Sequence, residues 1–301
     1  MPNQSAQVTT AQGQPAEEFW QVAPMPEDWG GDGSGRMHLS GRCTAISREH
    51  LPGQFQFFHS NTVPKENNWH IGGASIAGVA RQLLTWHPCG ASTARVFLPP
   101  KFELPPGIFT ADLEIFVLRG SIQLGDWRLR THGYSFIPAG VKVGPIKVSP
   151  GETAELLWME NGPVPLKYER ANSNHPKARL GEFIPALDSQ LLPWGKTQTA
   201  QFEIAKKKFL RKDALGGGAW LLAILPHYDG QHPFIQTYNE DGYCLSGYCD
   251  VGDYHLTRDY VWYCSSFSDL PKHSTVDGGL FFVRADRDVS QVGRVLSHPF
   301  A

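Results

Sequence analysis

From about Gln54 onward the chain is a succession of short runs rich in Val, Ile, Leu, Phe, Tyr and Trp, interrupted by Gly, Pro, Asn and Asp. Such runs predict strands joined by turns. Helical spacing is confined to short stretches such as QFEIAKKKFL, whose alternation suits a strand equally well. The first 18 or so residues are polar and read as a tail. MPEDWGGDGSG (25–35) continues it as a loop or arm with Trp20 and Trp29 as its only apolar anchors, so residues 1–50 stand apart as an N-terminal arm. PLKYERANSNHPKARLGEFIPALDSQ (165–190) reads as a polar linker.

The strand-like region repeats itself. ARQLLTWHPCGASTARVFLPP (80–100) resembles KKKFLRKDALGGGAWLLAILPH (206–227), each reading strand, Gly-containing turn, strand. EIFVLRGSIQLGD (114–126) resembles DGYCLSGYCDVGD (241–253), with Gly120 against Gly247. Trp69 stands against Trp194, and, more loosely, FIPAGVKVGPIKV matches YCSSFSDLPKHSTV with Val143 against His273. Copies of this length are too long for solenoid units and predict duplicated barrels or sandwiches. The expected division is a first barrel over 51–170 and a second over 185–290.

EIFVLRGSIQLGDWRLRTHGYSFIPAGVKVGPI resembles a cupin: a glutamate, a turn glycine, then a Gly-Tyr-x-Phe-x-Pro-Ala-Gly strand and turn. With the weaker second copy, the chain resembles two-barrel cupins, in particular those related to the anti-sigma-factor-type cupin domain. The resemblance implies an all-β fold of two tandem double-stranded β-helix (jelly-roll) barrels. It also implies a divalent metal (Fe, Mn, Ni or Zn) held by two histidines and a glutamate from one motif and a histidine from the next. In the first barrel Glu114 takes the glutamate position, but Gly107, Phe109 and Val143 take the histidine positions, so no metal is expected there. In the second, His273 takes the last histidine position, Asp241 or Glu240 the carboxylate, and Phe234 and Gln236 the histidine pair. A modified metal site would draw on His227, His232, Gln236, Asp241 or Glu240, and His273.

Composition narrows the rest. With 27 basic and 29 acidic side chains the formal charge is −2, which gives no general reason to bind nucleic acid. KKKFLRKD (206–213) reads as a solvated strand or a dimer rim. Cys43, Cys89, Cys244, Cys249 and Cys264 are too few in 301 residues for a disulfide framework, and their odd number leaves at least one unpaired within the chain; Cys244, Cys249 and Cys264 read as buried free thiols. No apolar run is long enough for a transmembrane helix and no secretory leader opens the chain, so a cytoplasmic protein without membrane contact is expected. Gly-rich stretches lack nucleotide-loop spacing, and no GxSxG element occurs.

Three function classes follow. The first is a metal-dependent, dioxygenase-like oxidoreductase acting on a small organic substrate in the second barrel, with His273 and Asp241 or Glu240 as ligands. The second is a metal-free isomerase, cyclase or lyase, with His273 as base and Glu240 or Asp241 orienting it or acting as acid. The third is a ligand-binding or structural protein without catalysis. A homodimer is expected by the same resemblance.

Overall fold

The computed structural model describes residues 55–74, 76–86, 92–161, 166–196, 205–212, 217–230, 234–236, 238–264 and 268–286. For Phe55, Gln56, Trp86, Phe234, Ile235, Gln236 and Asp269 only the backbone is described. The expected N-terminal arm, Cys43, Cys89 and His232 lie outside these residues. The described chain is built of strands and short 3-10 turns, as the sequence pattern predicts, and it divides into two compact units.

Among the described residues, the N-terminal unit takes in residues 63–193. Its main sheet runs, strand beside strand, Ile184–Asp188, Gly133–Ile137, Asp112–Arg119, Ala154–Asn161, Ser92–Leu98, Ala80–Trp86 and Glu66–Asn67. A four-stranded and a three-stranded sheet complete the unit. Along Asp112–Arg119 the pleat sends Leu113, Ile115 and Val117 into the core and Glu114 and Phe116 to the opposite face. Ala154, Leu156 and Trp158 do the same on the neighbouring strand.

The C-terminal unit repeats this sheet in the same order: Phe55–His59, Tyr260–Cys264, Glu240–Val251, Gly279–Ala285, Gly218–Ile224, Ala205–Lys212 and Gly195–Lys196. Its first strand therefore comes from the start of the described chain. Correspondingly, the N-terminal unit is closed by Ile184–Asp188. The expected boundaries differ at both points. Phe55–His59 pairs with Tyr260–Cys264 rather than joining the first barrel. Ile184–Asp188 pairs with Gly133–Ile137 rather than opening the second.

Register makes the repeat quantitative. Phe136 pairs with Glu114 as Tyr263 pairs with Asp241, and Val143 pairs with Gly107 as Leu270 pairs with Phe234. Each comparison gives an offset of 127 (263 − 136, 241 − 114, 270 − 143, 234 − 107). Gly120 and Gly247 share this offset and both hold positive φ, +76° and +69°. A Cβ at either would meet a backbone carbonyl oxygen, Thr153 O at 2.1 Å or Gly278 O at 2.2 Å, so only glycine fits where the strand turns.

On the face turned away from each core, a buried acid is clasped by its neighbours. Glu114 is fully buried and accepts from Tyr134 Oη at 2.5 Å and Asn161 Nδ2 at 2.7 Å. It is thus neither a solvated strand residue nor a lone group in the first core. Asp241 accepts a two-pronged pair from Arg284, Nε to Oδ1 at 3.0 Å and Nη2 to Oδ2 at 2.5 Å, with Arg284 only 1% exposed. Removing one member of such a pair strands the other charge in the interior. Arg284→Met is expected to lower unfolding free energy by about 3–5 kcal/mol. The double change Asp241→Leu/Arg284→Met is expected to recover most of that. Chemical denaturation of the three proteins decides the matter: a near-neutral single variant would show that the pair carries no such constraint.

Candidate functional site

The pleat that turns Asp241 outward turns Glu240 inward. Glu240 stands across from Cys264 on one side and Ala285 on the other, both core residues. Trp262 Nε1 donates to Glu240 Oε1 at 2.8 Å, and the Tyr238 hydroxyl also hydrogen-bonds this carboxyl. The Trp262 indole reaches Glu240 by lying across the backbone at Gly242, its cross-strand partner. A Cβ on Gly242 would meet Trp262 Cζ2 at 2.0 Å, so this glycine is the seat of the indole.

A third strand supplies a cation. Lys207 is 8% exposed, and its Nζ sits 4.3 Å from the centre of the Trp220 ring. Lys208 is equally buried, so the basic stretch expected on a solvated strand or a rim has two of its lysines covered. Burial pushes the Glu240 carboxyl up to about 7. The Trp262 hydrogen bond, the Lys207 charge and the Tyr238 hydrogen bond pull it back down, and Asp241 adds to the rise. Burial likewise drives the Tyr238 hydroxyl and the Cys264 thiol well above their ordinary values, with the nearby Glu240 adding to each.

The N-terminal unit carries a related group built from other positions. Glu160 accepts from Trp158 Nε1 at 3.2 Å. Burial raises it to about 7, against the Trp158 bond, the Arg81 charge and hydrogen bonds from the Leu166 backbone and Ser92. Glu160 pairs with Leu113 as Ala285 pairs with Glu240, and Arg81 pairs with Val96 as Lys207 pairs with Leu222. Each core thus has one near-neutral acid, one indole donor and one cation from the same strand position. Glu160, Lys207, Trp262 and Gly242 were not singled out as a site by sequence reasoning. The signal available was the inward phase of the strand, which separates 240 from 241.

The remaining expected site residues lie elsewhere. His273 pairs with Val251, at the opposite end of the strand that begins at Glu240. Its counterpart in the first repeat is Ile146, which pairs with Leu124. The position matching Val143 belongs to Leu270, so the expected alignment of His273 with the last motif histidine is three residues out of register. His273 Nδ1 donates to the Pro271 carbonyl at 2.8 Å, and burial, opposed by that bond, lowers the imidazole to about 4. His227 is exposed in a left-handed turn, φ +61°, with its backbone N–H on Val276 O. Asp241 is committed to Arg284 on the other face. Of Gln236 only the backbone is described, and His232 lies outside the described residues.

Whether a divalent metal fits is a question of donors. Among the described residues no three His, Cys, Asp or Glu side chains converge. Glu240 has a thiol, a phenol and an indole around it rather than imidazoles. The described donor set does not fit the expected metal. Cys244, Cys249 and Cys264 are buried and free, as expected. A bulge between Cys244 and Ser246 shifts the alternation, which brings both Cys244 and Cys249 into the core.

These features define an all-β protein of the cupin fold. Among solved structures, YlbA of E. coli matches with TM-score 0.50 at 14% identity over 82% of this chain and 96% of that one. The oxalate decarboxylase of Lactobacillus farciminis matches with TM-score 0.52 at 10% identity over 77% and 86%. At these identities the likeness is one of fold alone. The chain belongs to the family described as a domain of unknown function, DUF4437, whose match covers residues 60–292. A candidate dioxygenase of Nostoc punctiforme is 64% identical, with TM-score 0.81, over 91% of this chain and 97% of that one. No protein of curated function matches the chain. No helix among the described residues is long and apolar enough to cross a membrane.

Two outcomes test the site. An acid whose pKa rises on folding binds more protons folded than unfolded between its two values. Stability therefore falls as pH rises from about 4.5 to about 7. His273, lowered from 6.5 to about 4, has the opposite sign: its contribution is lost as pH falls through that window. Glu240→Gln and Glu160→Gln are each expected to remove part of the alkaline loss, by about 3 kcal/mol at most. Melting temperatures from pH 4.5 to 8 measure it, and unchanged pH profiles in both variants would contradict the assignment. Gly242→Ala is expected to displace the Trp262 ring, change its fluorescence and destabilise by about 1–3 kcal/mol. An unaltered emission spectrum with wild-type stability would show that the glycine is not the seat of the indole.

Proposed function

We propose that this chain is a cupin-type enzyme acting on a small organic molecule in the C-terminal unit, with Glu240 carrying the proton in an acid–base step. We read the two units as tandem cupin barrels, with the inward-facing acid of the second as the reactive group. The observation that carries the reading is Glu240 itself, an inward carboxyl hydrogen-bonded by Trp262 and Tyr238 and raised to about 7. An acid poised there is nearly half protonated at neutral pH, where proton transfer in either direction is most efficient. The metal-free class anticipated from sequence is thus favoured with the carboxyl as proton carrier. His273, at the far end of the strand, has no assigned part in the step.

Proton abstraction next to a carbonyl is a simple reaction for one acid flanked by donors and a cation. Glu240 as carboxylate takes the proton from carbon, and the adjacent positive charge and hydrogen-bond donors favour the enolate oxygen. The proton then returns from Glu240 to the product. A second reading, oxygenase chemistry, is favoured by the 64% identity to the Nostoc punctiforme candidate dioxygenase.

The test is deuterium exchange at the α-carbons of pyruvate, acetoacetate and cyclohexanone in D2O, followed by NMR, with an oxygen electrode on the same samples. Exchange by the wild type, reduced about 100-fold or more in Glu240→Gln at unchanged melting temperature, is the expected result. Exchange that is absent, or equal in the variant, overturns the assignment. Oxygen uptake lost in that variant would move the reaction to the oxygenase class.

A further inference from the structure

We infer that a cavity on the outer side of the N-terminal unit binds a small aromatic carboxylate, with the Trp127 ring as its stacking surface and Lys142 as its cation. The cavity holds about 500 Å³, within the range of small-molecule sites, and lies among residues 123–127 and 142–145, Lys147 and Phe183. Gln123 and Lys147 are cross-strand partners that point away from the core, which Ile122, Leu124 and Ile146 enter. None of these residues takes part in the clusters around Glu240 and Glu160.

The backbone frame of the cavity occurs in both units. Gly125 opens a two-residue hairpin turn at φ +58°, with Leu124 across from Trp127, and its N–H donates to Pro145 O at 2.9 Å. Gly252 does the same at φ +58°, with Val251 across from Tyr254 and its N–H on Lys272 O at 3.0 Å. The lining is not shared. By the common register Trp127 corresponds to Tyr254, Lys142 to Asp269 and Lys147 to Ser274. Tyr254 packs its ring on Phe57 of that unit's core, with centres 4.9 Å apart. Trp127 instead keeps 44% of its surface exposed, and its ring contact among the described residues is Phe183, at 90° and 6.0 Å. The turn needs neither an exposed indole nor the two lysines, and the first unit alone brings them together.

The lining selects the ligand. An exposed indole beside a second ring offers a surface for a flat apolar body. Lys142 is exposed and has no ion partner among the described residues. Lys147 meets Glu103 at 3.1 Å, a half-exposed pair of little strength that leaves its remaining N–H groups available. Against these two ammoniums the lining has one acid, Asp126. The positive excess favours an anion, and a carboxylate meets an ammonium by a charge-assisted hydrogen bond. A sugar acid would need a ring of polar partners, whereas the Gln123 amide N–H is already given to Gly125 O at 2.7 Å. An aromatic cation would face both lysines.

Equilibrium dialysis of the full chain with cinnamate and para-coumarate, against cinnamamide and glucuronate, tests this. The two aromatic carboxylates are expected to bind and the other two not. Affinity is expected to fall about tenfold or more in Trp127→Ala and about fivefold in Lys142→Met, at unchanged melting temperature. Trp194→Ala is the control, since Trp194 is an indole also 44% exposed, with Lys208 Nζ 4.6 Å from its ring centre, but outside the cavity. It is expected to bind as the wild type does. No binding by the wild type, equal affinity for cinnamamide, or undiminished binding in Trp127→Ala overturns the inference. So does an equal loss in Trp194→Ala, which would mark the binding as unspecific. Binding lost in Glu240→Gln and kept in Trp127→Ala would move the carboxylate to the other unit, and glucuronate bound more tightly than cinnamate would overturn the aromatic class.

Discussion

The pleat of the strand that starts at Glu240 governs what this molecule can do. Two adjacent acids on one strand must face opposite ways. Asp241, turned from the core, becomes one half of a two-pronged ion pair with Arg284 and serves the sheet. Glu240, turned in, cannot find a guanidinium and meets a phenol, an indole and a thiol instead. A carboxyl so placed keeps its proton to near-neutral pH because its neighbours stabilise the charged form less than water does.

Much of the architecture was legible in the sequence because it depends on turn glycines and alternation. Gly120 and Gly247 mark the repeat at an offset of 127, and both occupy positions that admit no Cβ. The strand-rich character and the correspondence of residues 80–100 with 206–227 followed from the same kind of signal. What was not legible was which strand completes which sheet. Phe55–His59 and Ile184–Asp188 each join the unit on the far side of a long stretch of chain. Local pattern carries no information on such pairing, since a strand of this kind satisfies its hydrogen bonds equally well on either sheet edge.

The site was half legible. Glu240 was in view, but always beside Asp241, because a spacing counted from a turn glycine tolerates one residue of slip. One residue of slip exchanges the two faces of a strand. His273 was misplaced for a similar reason. A loose match of Val143 to His273 hid the true equivalence to Leu270, which only the ladders with Gly107 and Phe234 reveal. Lys207 was hidden by its company: among several lysines it reads as surface. It is in fact a buried side chain whose ammonium lies over the face of Trp220.

The duplicated sheet then poses a question of economy, since both units spend stability on a buried acid. Their acids do not descend from one repeat position. Glu240 stands where the first unit has Leu113, and Glu160 where the second has Ala285. Glu160 and Glu240 sit at neighbouring places across the same ladder. The cation, by contrast, comes from one shared position, Arg81 and Lys207. A sheet of this kind thus tolerates an acid on either of two adjacent strands, with an indole donating to it and a cation within reach in each unit. What differs is how each unit uses the indoles near that acid. In the first, Trp158 is bonded to its acid. The second has Trp262 bonded to Glu240 and Trp220 with its N–H unspent. The first indole donates to its acid, whereas the second unit also retains a buried indole N–H with no acceptor among the described residues.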